Sequence, residues 1–362
     1  MKFTAVKEAR PRRPELAGFS RLPALEKPWI EGFLELGGRA IPLVRTRLDR
    51  SDRLGAAKMR LGFGRDDYRV LPGLYATGRP DPASPVFVSA NYKLSFDRLR
   101  AALDGLDAWI LVLDTKGINV WCAAGKGSFG TAELLAKLSG TRLAELVTGR
   151  KLVLPQLGAT GVSAPEIARL SDFRVVWGPV LAKDIGAFLG AGMRKTEAMR
   201  LVPFGLRERL AVAPVEFTQA WPPFAAALPL ALLYALPADG FFLGRAAALL
   251  GAAWGGLLVA SFGFPALLPW LPFRAFALKG ALLGLAWGLG ASLLLGAPPL
   301  GAAGLCLSLG AVVAFIAMGF TGASTFTSQG GTALEVKIGL PAMLSSLGLG
   351  LGLGAASRVF GL

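Results

Sequence analysis

"AWILVLDTKGINVWCAAGKGSFGTAELLAKL", Ala108–Leu138, runs from a continuous apolar stretch through a glycine-punctuated loop into a helical pattern. The apolar run does not alternate with polar residues, as expected of a strand covered on both faces. The same rhythm recurs on either side. Strand candidates fall at 85–91, 108–114, 151–156 and 173–178. Helix-like segments lie between them at 95–105, 131–138 with 142–149, and 163–170. Ser95 and Ser163 are placed to cap two of those helices, since a serine oxygen can accept from a free first-turn N–H. Strands alternating with helices predict a doubly wound, Rossmann-like α/β sheet. Such sheets take ligands in the crevice beyond the carboxyl ends of their strands.

That rule brings four loops to one rim: "SANYK" with Asn91, "DTKGINVWCAAGKG", "PQLGATGV" with Gly158, and "WGPV" with Gly178. Glycine permits tight turns and close backbone approach. Asn91, Gly158 and Gly178 are therefore positional candidates for contacting a large, flat ligand. Asp114 ends a strand within the same loop set, where a turn role is as open as a ligand contact.

Charge divides the chain. Of 362 residues, 39 are basic, 24 acidic, two are cysteine and none is histidine. Residues 221–362 hold only Arg245, Arg274, Lys279, Lys337, Arg358, Asp239 and Glu335 as charged groups, leaving a net +12 in residues 1–220. Residues 1–68 read as a basic, Arg/Pro-rich extension and 69–218 as the α/β domain. The extension carries "RPRRP" at 10–14 and "RTRLDRSDR" at 45–53. With membrane close by, a lipid surface is a simpler partner for such an arm than nucleic acid. A solvated extension fits equally.

Residues 219–362 read as an all-α transmembrane domain of about five helices, each near the ~20 residues that cross a bilayer. The expected spans lie near 219–237, 241–260, 276–296, 298–320 and 339–357. Buried helices of a soluble core would keep a charged outer face, which these lack. The loops holding Arg274 with Lys279, and Lys337, fall on the same side as the N-terminal region, so the positive-inside bias puts that region in the cytosol. Five spans would leave the C-terminus outside. Residues 1–30 show no cleavable signal. The expected location is thus the inner membrane, multi-pass, with a cytosolic α/β domain. Thiols there stay reduced, so Cys122 is a free thiol or a ligand, whereas Cys306 in "GLCLSLG" serves as small apolar filler.

Spacing excludes several chemistries for the central loop. A phosphate-binding P-loop needs G-x-x-x-x-G-K-[ST], but Val120 stands where its first glycine belongs and Gly127 where its hydroxyl residue belongs. A thioredoxin-like pair needs a second cysteine where Gly125 sits. A zinc site needs three or four ligands, and a cysteine–histidine nucleophile needs the histidine this chain lacks. What remains is a thiol in the first turn of a short helix capped by Asn119. Free N–H groups, and Lys126 nearby, favour negative charge there. Ala123, Ala124 and Gly125 keep that helix slim and Trp121 is available to pack. A cysteine buried in a strand-to-helix turn is the plainer alternative.

"NVWCAAGK", Asn119–Lys126, resembles the signature of the corrinoid protein of the microbial mercury-methylation pair, the HgcA family, in which this segment is the cap helix. The likeness extends over 90–100, 106–131, 152–162 and 173–179 and into the multi-span region. The family is itself related to the corrinoid iron–sulfur protein of acetyl-CoA metabolism. The resemblance implies a corrinoid-binding α/β domain holding cobalamin, in its methylcobalamin form, base-off, with Cys122 as the lower axial cobalt ligand and catalytic residue. Asn119, Val120, Trp121, Ala123, Ala124, Gly125 and Lys126 would shape the cap and contact the corrin.

The implied activity is a corrinoid-dependent methyltransferase that passes a methyl group to Hg(II), forming methylmercury. Thiolate is a soft, electron-rich donor, and axial ligands are a main lever on a metal cofactor. The resemblance also implies a small ferredoxin-like partner with two 4Fe–4S clusters as electron donor, a methyl donor of folate type or its carrier protein, and membrane lipid, with no nucleic acid. A corrinoid methyl carrier serving another acceptor in one-carbon metabolism is an alternative. A cofactor-free membrane thiol sensor or scaffold is another. In the membrane region, Gly348, Gly350, Gly352 and Gly354 offer small-xxx-small spacings for close helix packing.

Overall fold

A computed structural model describes residues 2–5, 27–64, 67–234, 242–327 and 329–360. The chain forms two compact units, Met1–Met59 with Gly64–Val202 and Arg60–Phe63 with Pro203–Leu362.

The first unit is built on one mixed sheet. Its strands are β1 (Lys2–Ala5), β2 (Ile30–Leu36), β3 (Arg39–Val44), β4 (Gly73–Thr77), β5 (Val86–Ala90), β6 (Ala108–Leu113), β7 (Lys151–Leu154) and β8 (Arg174–Trp177), in the order β1-β2-β3-β4-β6-β5-β7-β8. The four strands expected from the sequence form its parallel part, β6-β5-β7-β8. β4 runs antiparallel to β6, and β2 antiparallel to β3, so the sheet is mixed rather than wholly parallel. Strands β2 and β3 lie in the stretch read as a basic extension. They join through Gly37 and Gly38, both at positive φ (59° and 76°), the backbone of a two-residue hairpin that matches strand twist.

Along β6, side chains alternate between two cores. Trp109, Leu111 and Leu113 pack with Ala123, Phe129, Leu134 and Ile167, while Ile110 and Val112 pack with Phe96, Leu103 and Phe188. Helices α3 (Val120–Gly125), α4 (Thr131–Gly140) and α5 (Ala164–Leu170) therefore cover one face. Helices α2 (Lys93–Ala102) and α6 (Ile185–Gly190) cover the other. This is the double winding expected. Ser163 caps α5 through the Glu166 N–H. Ser95 caps nothing, because α2 starts earlier, after Tyr92.

Helix α1 (Arg50–Arg60) is tied to α2 by charge. Asp52 lies 2.7 Å from Arg100 and 2.9 Å from Lys93, and Asp97 meets the same two cations at 2.8 and 2.7 Å. Arg100 is wholly buried. Burial alone would raise the Asp52 carboxyl, but the hydrogen bonds and charges of Lys93 and Arg100 outweigh it and hold the group at about 2.

The second unit contains α7 (Leu206–Leu210), α8 (Ala213–Tyr234), α9 (Phe242–Leu258), α10 (Phe264–Leu267), α11 (Phe276–Leu294), α12 (Pro299–Gly319) and α13 (Gln329–Phe360). It begins at Pro203, ahead of the expected 219. Among the described residues, four helical stretches are long and apolar enough to cross a membrane: Gly244–Leu267, Phe276–Leu294, Pro299–Gly322 and Gly330–Phe360. The expected span at 219–237 runs into 235–241, outside the described residues. Its described part is α8.

On α11, Leu278, Leu282, Leu285, Leu289 and Leu293 are exposed, while Gly280, Gly284 and Gly288 are buried. A Cβ on those glycines would stand 2.5 Å from Ala317 Cβ, 2.5 Å from Leu309 O and 2.7 Å from Cys306 Cα, respectively. Large apolar groups outside with small residues at the helix contact is the arrangement suited to lipid. Of the four glycines noted on α13, Gly350 and Gly354 meet Gly304 of α12, whereas Gly348 and Gly352 have open space around them.

Candidate functional site

The parallel strand order places β5 and β7 side by side where the crossovers diverge, with β6 beyond β5. That is the topological switch point at which doubly wound sheets bind ligands. At the carboxyl ends of β5 and β6 the structure forms a cleft of about 270 Å³ lined by Tyr92, Lys116, Gly117, Ile118, Asn119, Cys122 and Lys126.

Two asparagines build it. Asn91, buried just past β5, accepts through Oδ1 from the N–H groups of Thr115 (3.1 Å) and Gly117 (2.9 Å), and lies 2.8 Å from the Thr115 hydroxyl. Its amide donates to Asp114 Oδ1 at 3.1 Å, and Asp114 also accepts from the Lys116 N–H. One side chain from β5 thus dictates the course of the loop leaving β6, including the left-handed turn at Lys116 and Gly117. Asn119 then caps α3, its Oδ1 accepting from the Cys122 N–H at 2.9 Å. The cap explains why a six-residue helix forms there at all, since it satisfies one of the orphan donors of the first turn.

The sequence candidates separate into groups. Asn119, Cys122 and Lys126 line the cleft. Val120 packs against the core, and Ala123 and Ala124 are buried beneath the helix. Trp121 and Gly125 are exposed. Asn91 stands behind the loop it organises. Gly158 supports α3 from below: a Cβ there would lie 2.6 Å from the Phe129 ring, and neighbouring Gly161 is pressed against Phe129 O and Ala124. Gly178 lies against Val153 and Leu154 of β7. Asp114 has a turn role. Sequence reasoning did not single out Tyr92, Lys116, Gly117 and Ile118, although all four lie in the loops it brought to the rim. The signal available was the loop convergence itself, which names a region before it names side chains.

Chemically the cleft offers one half-exposed thiol, two amines with no ion pair among the described residues, and a phenol side chain. Among the described residues no group of three or more His, Cys, Asp or Glu could hold a metal ion. A free ion would want three or four such ligands. A metal that brings its own in-plane donors needs only one from the protein. The donor set fits that second case.

Residues 64–186 match the family model of the CO dehydrogenase/acetyl-CoA synthase delta subunit (CdhD). The acetyl-CoA decarbonylase/synthase complex subunit gamma of Archaeoglobus fulgidus is 32% identical over 127 residues, covering 34% of this chain and 27% of that protein. Its counterpart in Methanopyrus kandleri is 34% identical over the same shares of each chain. The corrinoid/iron–sulfur protein large subunit of Moorella thermoacetica is 27% identical over 127 residues, 34% of this chain and 28% of that protein. The α/β domain is a distant relative of these subunits. The chain spans about a quarter of the length of the relatives it matches. The helical unit from Pro203 lies beyond the matched stretch of the family model.

Proposed function

We propose that this protein is a membrane-anchored, corrinoid-dependent methyltransferase with Hg(II) as methyl acceptor. The observation that carries the reading is the Cys122 thiol. It faces a cleft at the carboxyl ends of β5 and β6, in a sheet distantly related to a corrinoid/iron–sulfur subunit and within a sequence resembling the mercury-methylation cap helix. When bound, the corrinoid supplies a methyl group on cobalt for transfer to the acceptor.

The chain's own residues have distinct parts in this. Cys122 would hold the group through a single soft sulfur, and Asn119 holds the turn that carries it. Ala123 and Ala124, turned inward, let α3 lie close on the core so that the thiol stands at the cleft mouth. Lys116 and Lys126 supply positive charge beside the sulfur, and Tyr92 closes the β5 side. At about 270 Å³ the cleft is smaller than pockets for drug-sized ligands. A macrocycle would therefore be held largely outside the cleft, with Asn119, Cys122 and Lys126 as the residues available to hold it. Two cysteines in the whole chain cannot build a four-thiolate cluster, so reducing electrons would come from a partner with iron–sulfur clusters. The remaining methyl source would be a folate-type donor or its carrier protein.

The test uses the full chain in detergent, reconstituted with methylcobalamin. A visible spectrum distinct from free base-off methylcobalamin in the wild type, and reverting toward it in Cys122→Ala, is expected. Addition of Hg(II) should discharge the methyl–cobalt band with stoichiometric methylmercury. An unchanged spectrum in Cys122→Ala would sink the ligand assignment.

The similarity to acetyl-CoA decarbonylase/synthase subunits favours one second reading, a corrinoid methyl carrier serving another acceptor. Cofactor uptake with sulfur ligation but no methylmercury would select it.

A further inference from the structure

Arg209, on α7, is a buried charge with no ion pair among the described residues. Its side chain is 5% exposed. Nε and Nη1 are both buried and neither meets an acceptor among the described residues. The ring of Trp270 lies 5.8 Å from the guanidinium carbon, and Trp270 is itself 73% exposed. Beside the guanidinium is a cavity of about 10 Å³ lined by Phe204, Val212, Pro265, Leu268, Phe320 and Ser324. Ser324 Oγ accepts from the Phe326 N–H, which leaves its hydroxyl proton to donate elsewhere.

A guanidinium cannot shed its proton to escape burial. Burying a charge is costly unless it is paired and hydrogen-bonded, and an aromatic face compensates only in part. The cavity presents N–H and O–H donors, and its other lining side chains are apolar. Its complement is an anionic oxygen. The volume holds one oxygen-sized group, so the ligand must insert a single oxygen and keep its bulk outside, past Trp270.

Position narrows the ligand further. Pro265 and Leu268 lie at the end of the Gly244–Leu267 stretch, and Phe320 and Ser324 at the end of Pro299–Gly322. Where these stretches span a bilayer, their ends lie at headgroup depth, and an exposed tryptophan is the side chain that interface favours. We propose that Arg209 anchors a phosphate-binding site at this end of the helices, which takes one phosphate oxygen of a phospholipid headgroup. The proposal rests on the spanning character of the helices and not on the corrinoid reading.

Native mass spectrometry of the full chain from detergent tests it with three probes. These are phosphatidylglycerol, a phosphate-free galactolipid of matched acyl chains, and inorganic phosphate. Wild type is expected to retain phosphatidylglycerol at least tenfold better than the galactolipid. Arg209→Gln should bring the two to parity, and Arg209→Lys, which keeps the charge and loses the fork, should fall between. Trp270→Leu, at an exposed side chain, should weaken retention with the fold intact and so covers a failure of Arg209→Gln to fold. Equal retention of both lipids by wild type, or undiminished preference in all three variants, overturns the site. Displacement of phosphatidylglycerol by millimolar inorganic phosphate would overturn the lipid as the source and leave free phosphate as the ligand. Corrinoid uptake, read from the visible spectrum, should be unchanged in each variant.

Discussion

The Asn119 Oδ1 accepts a hydrogen bond from the Cys122 backbone N–H at 2.9 Å. The residue that starts α3 therefore holds the very residue whose sulfur faces the cleft, three positions on. A cap of this kind contributes roughly 1 kcal/mol. In a helix of six residues that is a large share of what keeps the turn formed, because isolated short helices are marginal.

Replacing Asn119 with alanine should raise amide hydrogen exchange across Cys122–Lys126 about fivefold, the equivalent of roughly 1 kcal/mol. Asn119→Asp, which keeps the accepting oxygen, should restore most of the protection. Exchange that is unchanged in Asn119→Ala would show that the cap is not what holds the turn.

Asn91→Leu should be more damaging. It removes the acceptor for the Thr115 and Gly117 N–H groups at once, at about 1–3 kcal/mol for each buried group left unpaired. Proteolysis within 114–119 should then appear under conditions that leave the wild type intact. Asn91→Asp should be intermediate, since it keeps the acceptor but sets a carboxylate against Asp114.

Acid should loosen the sheet unit in a defined window. The folded Asp52 carboxyl sits at about 2, below its ordinary value of 3.8. A depressed carboxylate contributes stability that is present above 3.8 and is lost as pH falls through 3.8 toward 2. Fluorescence of buried Trp29 during titration from pH 5 to pH 2 should report that loss. Asp52→Asn should flatten the part of the pH dependence due to Asp52. It should also destabilise at neutral pH, by about 3–5 kcal/mol, because Arg100 loses one partner of a buried pair. A pH profile for Asp52→Asn that matches the wild type would refute the assignment.

In the helical unit, Gly284→Leu should fail where Gly290→Leu is tolerated. A Cβ at Gly284 meets Leu309 O at 2.5 Å and Gly310 Cα at 2.7 Å, whereas Gly290 has open space. Overpacking of this kind costs about 1–3 kcal/mol. The melting temperature of the detergent-solubilised chain should fall for the first variant and stay near wild type for the second.

Much of the sheet unit was legible in the sequence because burial on both faces writes itself as unbroken apolar runs. Val86–Ala90, Ala108–Leu113 and Lys151–Leu154 could all be read that way, and the half-buried Arg174–Trp177 by its apolar run alone. The stretch Ile30–Val44 was harder. Its flanks are strongly basic, and charge counted over a long window hides a short hairpin that the Gly37-Gly38 pair does signal. Ser163 and Ser95 show the limit of local rules, since the same residue type caps one helix and lies inside the other.

The sequence by itself determined that a short, capped helix would carry a lone thiol after a buried strand, and that the C-terminal region would be helical and apolar. Both follow from local chemistry: side-chain period, turn residues and charge. Only the tertiary structure decided that Asn91, 31 residues before Cys122 in the chain, shapes the loop before it. The same holds for Gly158, which props α3 rather than lining the cleft, and for Arg209, which is buried without a counter-charge among the described residues. Those outcomes depend on which segments crossovers and helix packing bring into contact. Such contacts are set by the competition of the whole chain for buried space, and no window of sequence contains them.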